Sequence, residues 1–281
     1  MKVFATKKEL TNWVQQEKSA GKSIGLVPTM GALHRGHLEL VRRAGGDNDL
    51  VVCSIFVNPI QFNNPEDLKK YPRTLEQDLS LLESANCHTV FYPDEHEIYP
   101  EKETRVYDFG QLDKVMEGRF RPGHFNGVAI VVKKLLDVVE PHRAYFGEKD
   151  FQQLQVVKAL VAMEKMETEI VGCPTVREAD GLALSSRNTR LTPAQRSEAP
   201  RIYQALQKAR EMFPLHPVKD IREMAVRHIN ESAELEMEYF EIVKASSLLP
   251  LGEEEKHETA VACVAVFAGQ VRLIDNLLLN A

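Results

Sequence analysis

The chain has 281 residues, enough for one large domain or two modest ones with a full core. Its 35 basic and 41 acidic side chains leave a net charge of −6, which argues against a broad nucleic-acid surface. The N-terminal stretch lacks the apolar centre of a signal peptide, and the run from Ala260 to Ala268 is too short to span a bilayer, so a cytoplasmic protein with no membrane partner is expected.

Ser23 to Val27 reads as a buried strand, followed by the turn Pro28 to His37 (P-T-M-G-A-L-H-R-G-H) and by the start of an amphipathic helix from His37. Leu50 to Val57 is nearly all apolar, as a central parallel strand covered on both faces would be. A helix is predicted over Thr74 to Ala85 and a short strand over Thr89 to Tyr92. Gly118 to Val128 is a basic loop opening onto a buried helix, Asn126 to Val139; a strand at Arg143 to Phe146 and a helix from Phe151 to Met163 come next. Thr168 to Val171 is the last strand of this part. Strand–helix alternation with right-handed crossovers predicts an α/β, Rossmann-like doubly wound parallel sheet.

The pattern then changes. Thr192-Pro193 signals the start of a helix running to Met212, and a second helix covers Val218 to Ser232. Glu236 to Val243, Thr259 to Ala268 and Val271 to Ile274 read as strands, the last two joined by a Gly269-Gln270 turn. The expected division is a catalytic domain over 1–175 and a small C-terminal α+β lid domain over 176–281. Cys53, Cys87, Cys173 and Cys263 form no C-x-x-C pair and read as buried small hydrophobes in a reducing compartment.

The turn Pro28 to His37 carries most of the chemical information. A strand, a glycine-bearing turn and a helix N-terminus place free backbone N–H groups and the positive end of a helix dipole together. Gly31 and Gly36 let the backbone approach a bulky anion, and His34 and His37 can point the same way. A polyphosphate ligand is the reading this favours. Half a metal site is the first alternative, but no H-E-x-x-H glutamate and no Cys/His cluster completes it. Two histidines that merely cap the helix are the second.

H-R-G-H at 34–37 resembles the HIGH signature of nucleotidyl transferases and class I aminoacyl-tRNA synthetases, whose members attack the α-phosphate of a nucleotide and release pyrophosphate. The acidic balance and modest length weaken the synthetase branch. That superfamily carries a second, KMSKS-like loop, and Arg177 to Asn188 (R-E-A-D-G-L-A-L-S-S-R-N) is similar to it. Alone, S-S-R-N would be an ordinary surface loop. Beside the H-R-G-H turn, Ser185 and Ser186 become hydroxyl donors and Arg187 a charged fork suited to phosphate.

Three further segments narrow the resemblance: Ser54 to Phe62, running on through Tyr71-Pro72-Arg73-Thr74 and Asp78; Gly118 to Val128; and Gly147 to Gln153. With the two signatures, in this order and over essentially the whole chain, they resemble the pantothenate synthetase (pantoate–β-alanine ligase) family. Leu184 stands where many relatives carry methionine, a change that conserves volume and is expected to be silent.

The resemblance implies an ATP-dependent ligase that forms a pantoyl-adenylate with release of pyrophosphate, then passes the acyl group to β-alanine with release of AMP. It implies His37, His34, Lys149 and Arg187 as catalytic groups. It implies an ATP site from Met30, Gly31, Ala32, Leu33, His34, Arg35, Gly36 and His37, with Gly147, Glu148, Lys149, Asp150, Val176, Leu184, Ser185, Ser186 and Arg187. Within it, Asp150 would accept from ribose hydroxyls and the Val176 backbone would read the adenine edge. Gln61 and Gln153 can hold the hydroxyls and carboxylate of pantoate, with Asn58 in the same cleft. His124 would belong to the pantoate and β-alanine site, lining its phosphate end, or cap its helix. Lys149 has a bland alternative as a solvated surface lysine. Mg²⁺ is implied by ATP, with no protein ligand set for it evident in the chain. A homodimer is implied as well. The alternatives are a direct nucleotidyl transferase of the same superfamily and a nucleotide-sensing module without turnover.

Overall fold

The computed structural model describes residues 1–280. The chain separates into two compact units. The first holds Met1–Asp113, Gly118–Glu148 and Gln153–Pro174; the second holds Lys114–Glu117, Lys149–Gln152 and the chain from Thr175 on.

The first unit is built on six strands: β1 (Lys2–Phe4), β2 (Ile24–Thr29), β3 (Leu50–Ile55), β4 (Thr89–Phe91), β5 (Arg143–Gly147) and β6 (Glu169–Cys173). They form one sheet in the order β1-β4-β3-β2-β5-β6, with every pairing parallel. Between them run α1 (Lys7–Ser19), α2 (Arg35–Asp47), α3 (Pro65–Lys70), α4 (Leu75–Ser84), α5 (Glu95–Ile98), α6 (Met116–Phe120), α7 (His124–Val139) and α8 (Phe151–Met163).

Period-two alternation divides the strand side chains between two apolar layers. Leu26, Val52, Phe91, Ala144 and Phe146 join residues of α1, α7 and α8 on one face. Val27, Cys53, Val90 and Tyr145 join residues of α2 and α4 on the other. From β2 the chain first builds outward through β3 and β4, then returns to add β5 and β6 on the opposite side. The carboxyl end of β2 therefore lies at the point where the winding reverses, the position where sheets of this kind bind ligands.

The second unit pairs β7 (Leu235–Lys244), β8 (Ala260–Ala268) and β9 (Val271–Leu278) in an antiparallel sheet. With it go α9 (Pro193–Glu198), α10 (Arg201–Met212) and α11 (Val218–Asn230). Ile202, Leu206, Ile221 and Ile229 of the helices join Val264 and Val266 of β8 in one core.

All five predicted parallel strands and all three C-terminal strands are present, within a few residues at their ends. The single helix expected over Thr192 to Met212 is instead two. A Thr192–Gln195 capping box opens α9, and Pro200, which has no N–H to donate, separates it from α10. The sequence reading missed β1 and α1. Three residues are too few to show a period, and α1 buries only Leu10, Trp13 and Val14. All four cysteines are free and buried.

Candidate active site

The turn after β2 is held by a side chain from far along the sequence. Asp78, 1% exposed on α4, accepts the N–H of Ala32 at 2.9 Å through Oδ2 and that of Leu33 at 2.8 Å through Oδ1. Gly31 has φ +78°, and a Cβ there would lie 3.0 Å from Asp78 Oδ2 and 3.1 Å from Ile55 Cγ2. Ala32 is also left-handed, at φ +50°. A non-glycine residue persists in that region only where its surroundings over-determine it. The two bonds to a buried carboxylate supply that constraint. Thr29 Oγ1 accepts the Gly31 N–H at 3.3 Å and donates to the Ser54 carbonyl at 2.7 Å.

The two histidines cap α2 reciprocally. His34 Nδ1 accepts the Gly36 N–H at 3.1 Å, and His37 Nδ1 accepts the His34 N–H at 3.3 Å. The rings lie 4.0 Å apart between centroids. A ring nitrogen that accepts a backbone N–H carries no proton, so each neutral imidazole keeps its proton on Nε2. Capping thus fixes the tautomer of the neutral rings and uses their Nδ1 atoms.

This corrects one expectation. The sequence pattern suggested free backbone N–H groups awaiting an anion, yet those of Gly31, Ala32, Leu33, His34 and Gly36 are each bonded to a side chain. The Asp78 carboxylate takes the Ala32 and Leu33 N–H groups that an anion would otherwise meet.

Beyond β3, Asn58, Gln61, Met30, Tyr99 and His124 form a second cluster. Asn58 is 1% exposed and both amide protons are engaged: Nδ2 donates to Gln61 Oε1 and to the Gly127 carbonyl, both at 3.0 Å, and Oδ1 accepts from the Tyr99 hydroxyl at 2.6 Å. Asn58 is thus tied to Gln61, Tyr99 and α7, which leaves one lone pair of Oδ1 for the ligand contact expected of it. Gln61 Nε2 lies 3.1 Å from Met30 Sδ. His124 Nδ1 lies 2.8 Å from the Gln61 carbonyl, which can only accept, so the ring donates there. Gly123 holds the cap position of α7, which removes the cap reading for His124.

Gln153 is half-buried, and its amide has no hydrogen-bond partner among the described residues. Its neighbour Gln152 is consumed internally, accepting the Glu117 N–H at 3.0 Å and donating to the Val115 carbonyl at 2.8 Å. Gly147 ends β5, and Glu148, Lys149 and Asp150 form a single 3-10 turn. Lys149 is half-buried, forms no ion pair among the described residues, and is anchored by its carbonyl to Asn276 Nδ2 at 2.8 Å.

In the second unit Val176 to Leu184 fold back as a hairpin, closed by Glu178 N–H to the Leu182 carbonyl at 2.8 Å and Leu184 N–H to the Val176 carbonyl at 2.9 Å. Its base is an ion pair: Arg177 meets Asp275 through two bonds of 2.6 and 3.0 Å and stacks 3.8 Å over the Tyr203 ring. Burial pushes the Asp275 carboxyl above its ordinary value, and the Arg177 guanidinium opposes that push. Ser185 caps the following 3-10 helix, Ser186–Arg190, accepting the Arg187 N–H at 3.2 Å. Ser186 and Arg187 are half-buried.

Asp78 and Tyr99 are the members whose roles sequence reasoning missed. For Asp78 a signal existed. In the predicted helix it falls three residues after Leu75 and four before Leu82, so an acid lies on the apolar face. For Tyr99, in an irregular stretch, none did. A cavity of about 310 Å³ is lined by Met30, Gly31 and Asp78, with Ile55, Arg73 and Glu95 also on its wall. No group of three or more His, Cys, Asp or Glu side chains suited to a metal ion occurs among the described residues.

Fold and site together define an α/β enzyme with a histidine-bearing turn at the switch point of a parallel sheet. The chain matches the family model for pantoate-beta-alanine ligase over residues 2–278. It belongs to that family. Relatives include the pantothenate synthetases of Phocaeicola vulgatus, 52% identical over 278 residues, and Porphyromonas gingivalis strain W83, 50% identical over 277 residues; each alignment covers 99% of both chains. Among solved structures, pantothenate synthetase from Thermus thermophilus superposes with a TM-score of 0.93 at 45% identity, covering 100% of both chains. Pantoate-beta-alanine ligase from Francisella tularensis, complexed with beta-gamma ATP and beta-alanine, gives 0.83 at 35% identity, covering 100% of this chain and 98% of that one.

Proposed function

We propose that this chain joins (R)-pantoate to β-alanine at the expense of ATP, through a pantoyl-adenylate. A pantoate carboxylate oxygen attacks the α-phosphorus, forming an acyl–phosphate bond as the bond to pyrophosphate breaks. The β-alanine nitrogen then attacks the activated carbonyl, AMP leaves, and the ammonium protons pass to solvent or base. A free carboxylate is a poor acyl donor, which is why adenylation precedes the amine.

The observation that carries this reading is the reciprocal histidine cap, which commits both Nδ1 atoms to the backbone and both Nε2–H groups to a donor role. Negative charge gathers on phosphate oxygens in the first transition state, and fixed donors and cations stabilise it without reorganising. His34 and His37 act as those donors, and Lys149 and Arg187 as the cations. Ser185, Ser186 and the remaining turn residues hold ATP, with Asp150 on the ribose and Val176 at the adenine edge. Gln61 and Gln153 hold pantoate, and His124 supports Gln61 from its carbonyl side. Mg²⁺ arrives with the ATP phosphates, and no residue of this chain is assigned to it. Residues 176–281 act as a lid carrying the Ser185–Arg187 loop. The working form is a cytoplasmic homodimer, on the strength of the family resemblance.

The test is to incubate the purified protein with ATP, Mg²⁺ and pantoate, with and without β-alanine, and to quantify pyrophosphate, AMP and pantothenate. AMP and pantothenate appearing together only when β-alanine is present is the expected result. Pyrophosphate with no amide product, whatever the amine, would instead indicate a nucleotidyl transferase. No turnover would leave a nucleotide-binding module. Light scattering of the same sample reads the dimer.

A further inference from the structure

Tyr99 belongs to no signature, yet it stands at one end of a hydrogen-bond chain that finishes at Gln61. The residue closes α5 and is half-buried, with its ring 6.0 Å from that of Phe56 between centroids. Its hydroxyl donates to Asn58 Oδ1, Asn58 Nδ2 donates to Gln61 Oε1, and Gln61 Nε2 faces Met30 Sδ.

The direction of every bond in this chain is determined by its ends. A backbone carbonyl can only accept, so the Gly127 carbonyl, 3.0 Å from Asn58 Nδ2, fixes which edge of that amide carries the nitrogen. A thioether sulfur has no proton, so Met30 fixes the nitrogen edge of Gln61 independently. The two anchors agree, and each amide between them has one consistent orientation. The Gly127 carbonyl is available because α7 comes unusually close there. A Cβ on Gly127 would lie 2.6 Å from the Ile60 carbonyl oxygen and 2.8 Å from the Gln61 N and Cα. Burial, with Glu103 and Glu95 acting in the same direction, pushes the Tyr99 phenol above its ordinary value, so it stays a protonated donor at neutral pH.

We propose that Tyr99 is a positioning residue for the acid substrate. Acting through Asn58, it makes Gln61 present N–H donors, and not its carbonyl, to the oxygens of pantoate. The proposal rests on the reading of Gln61 as a pantoate ligand given above. With Oε1 held by Asn58, Gln61 does not turn over to accept from a ligand, so this position selects for acceptor atoms, a carboxylate or a hydroxyl lone pair. Without the Tyr99 hydroxyl, Asn58 Oδ1 loses its donor, only the Gly127 carbonyl and the weak thioether acceptor of Met30 still oppose a flip of the two amides, and pantoate meets the wrong edge of Gln61 more often.

The experiment is steady-state kinetics of pyrophosphate release for Tyr99→Phe and Gln61→Glu, with the KM of pantoate and of ATP measured separately and a thermal melt for each protein. Loss of one net hydrogen bond corresponds to a rise on the order of tenfold in pantoate KM for Tyr99→Phe, with ATP KM within about twofold of the parent. Gln61→Glu, which cannot donate and repels the acid, should raise pantoate KM by roughly a hundredfold or more. Gln61→Glu with unchanged pantoate KM withdraws the assignment of Gln61 and the proposal with it. If Gln61→Glu has its effect and Tyr99→Phe leaves pantoate KM unchanged, or moves both KM values in parallel with a lowered melting point, Gln61 stands and the role of Tyr99 is overturned.

Discussion

Between Gly31 and Gly36 most backbone N–H groups are bonded to protein side chains, and the key partner, Asp78, is buried in α4. Between Ser185 and Arg190 three bonds stay within the loop: the Ser185 cap, Asn188 Nδ2 on the Ala183 carbonyl at 3.0 Å, and Thr189 Oγ1 on the Ser186 carbonyl at 2.9 Å. The first loop is part of the core that supports it. The second is a local structure on a firm base, Arg177 with Asp275. Bonds tied to a buried core open only when much of the fold opens, whereas local and partly exposed ones open at low cost. The first signature is therefore expected to open only with the core, and the second at lower cost.

That contrast predicts a ranking. Arg177→Ala strands a nearly fully buried carboxylate, and breaking a buried pair from one side costs about 3–5 kcal/mol. The second unit should lose that much in denaturant melts, and a loss below about 1 kcal/mol would show that the hairpin base is not structural. Asp78→Asn offers one acceptor to two N–H groups and places its own N–H₂ against the other. With bonds to a charged group each contributing about 1.5–3 kcal/mol, it should lower stability by roughly 3 kcal/mol and turnover together. Lost turnover at unchanged stability would separate the turn from the core and erase the contrast. His37→Ala and Lys149→Ala should each slow pyrophosphate release about 10²-fold or more, the scale for removing one transition-state donor. Near-normal release by either variant would refute its assigned role.

Most of the sheet could be read from the sequence because burial on both faces writes long apolar runs, such as Leu50 to Val57, and because the turn residues between runs are distinctive. The break at Pro200 was legible too, but the capping signal at Thr192-Pro193 and the apolar period on either side outweighed it. The family was legible where type and spacing carry the signal, as in H-R-G-H and S-S-R-N. A residue's role was not legible where its partner decides it. Asn58 looks like a ligand contact alone until Tyr99 and Gly127 are seen to hold its amide. Asp78 looks like one more acid on a helix until its two oxygens are found on the backbone of a loop more than forty residues earlier. Long-range pairing leaves no local pattern.

Ser185 gives the finest test, because its cap is a bond within the loop. The hydroxyl accepts one backbone N–H, that of Arg187, at the start of a 3-10 helix, and removing such a cap typically costs about 1 kcal/mol. Because the cap is local, Ser185→Ala should leave the melting temperature of the protein within about 2 °C of the parent. The cost appears instead as a smaller fraction of molecules with the loop in its binding form, which raises the KM of ATP about fivefold and spares that of pantoate. Threonine at the same position keeps the acceptor and should restore ATP affinity. A melting point that falls together with ATP affinity would mean that the Ser185–Arg190 helix opens only with the whole unit, and the two signatures would then be held in the same way.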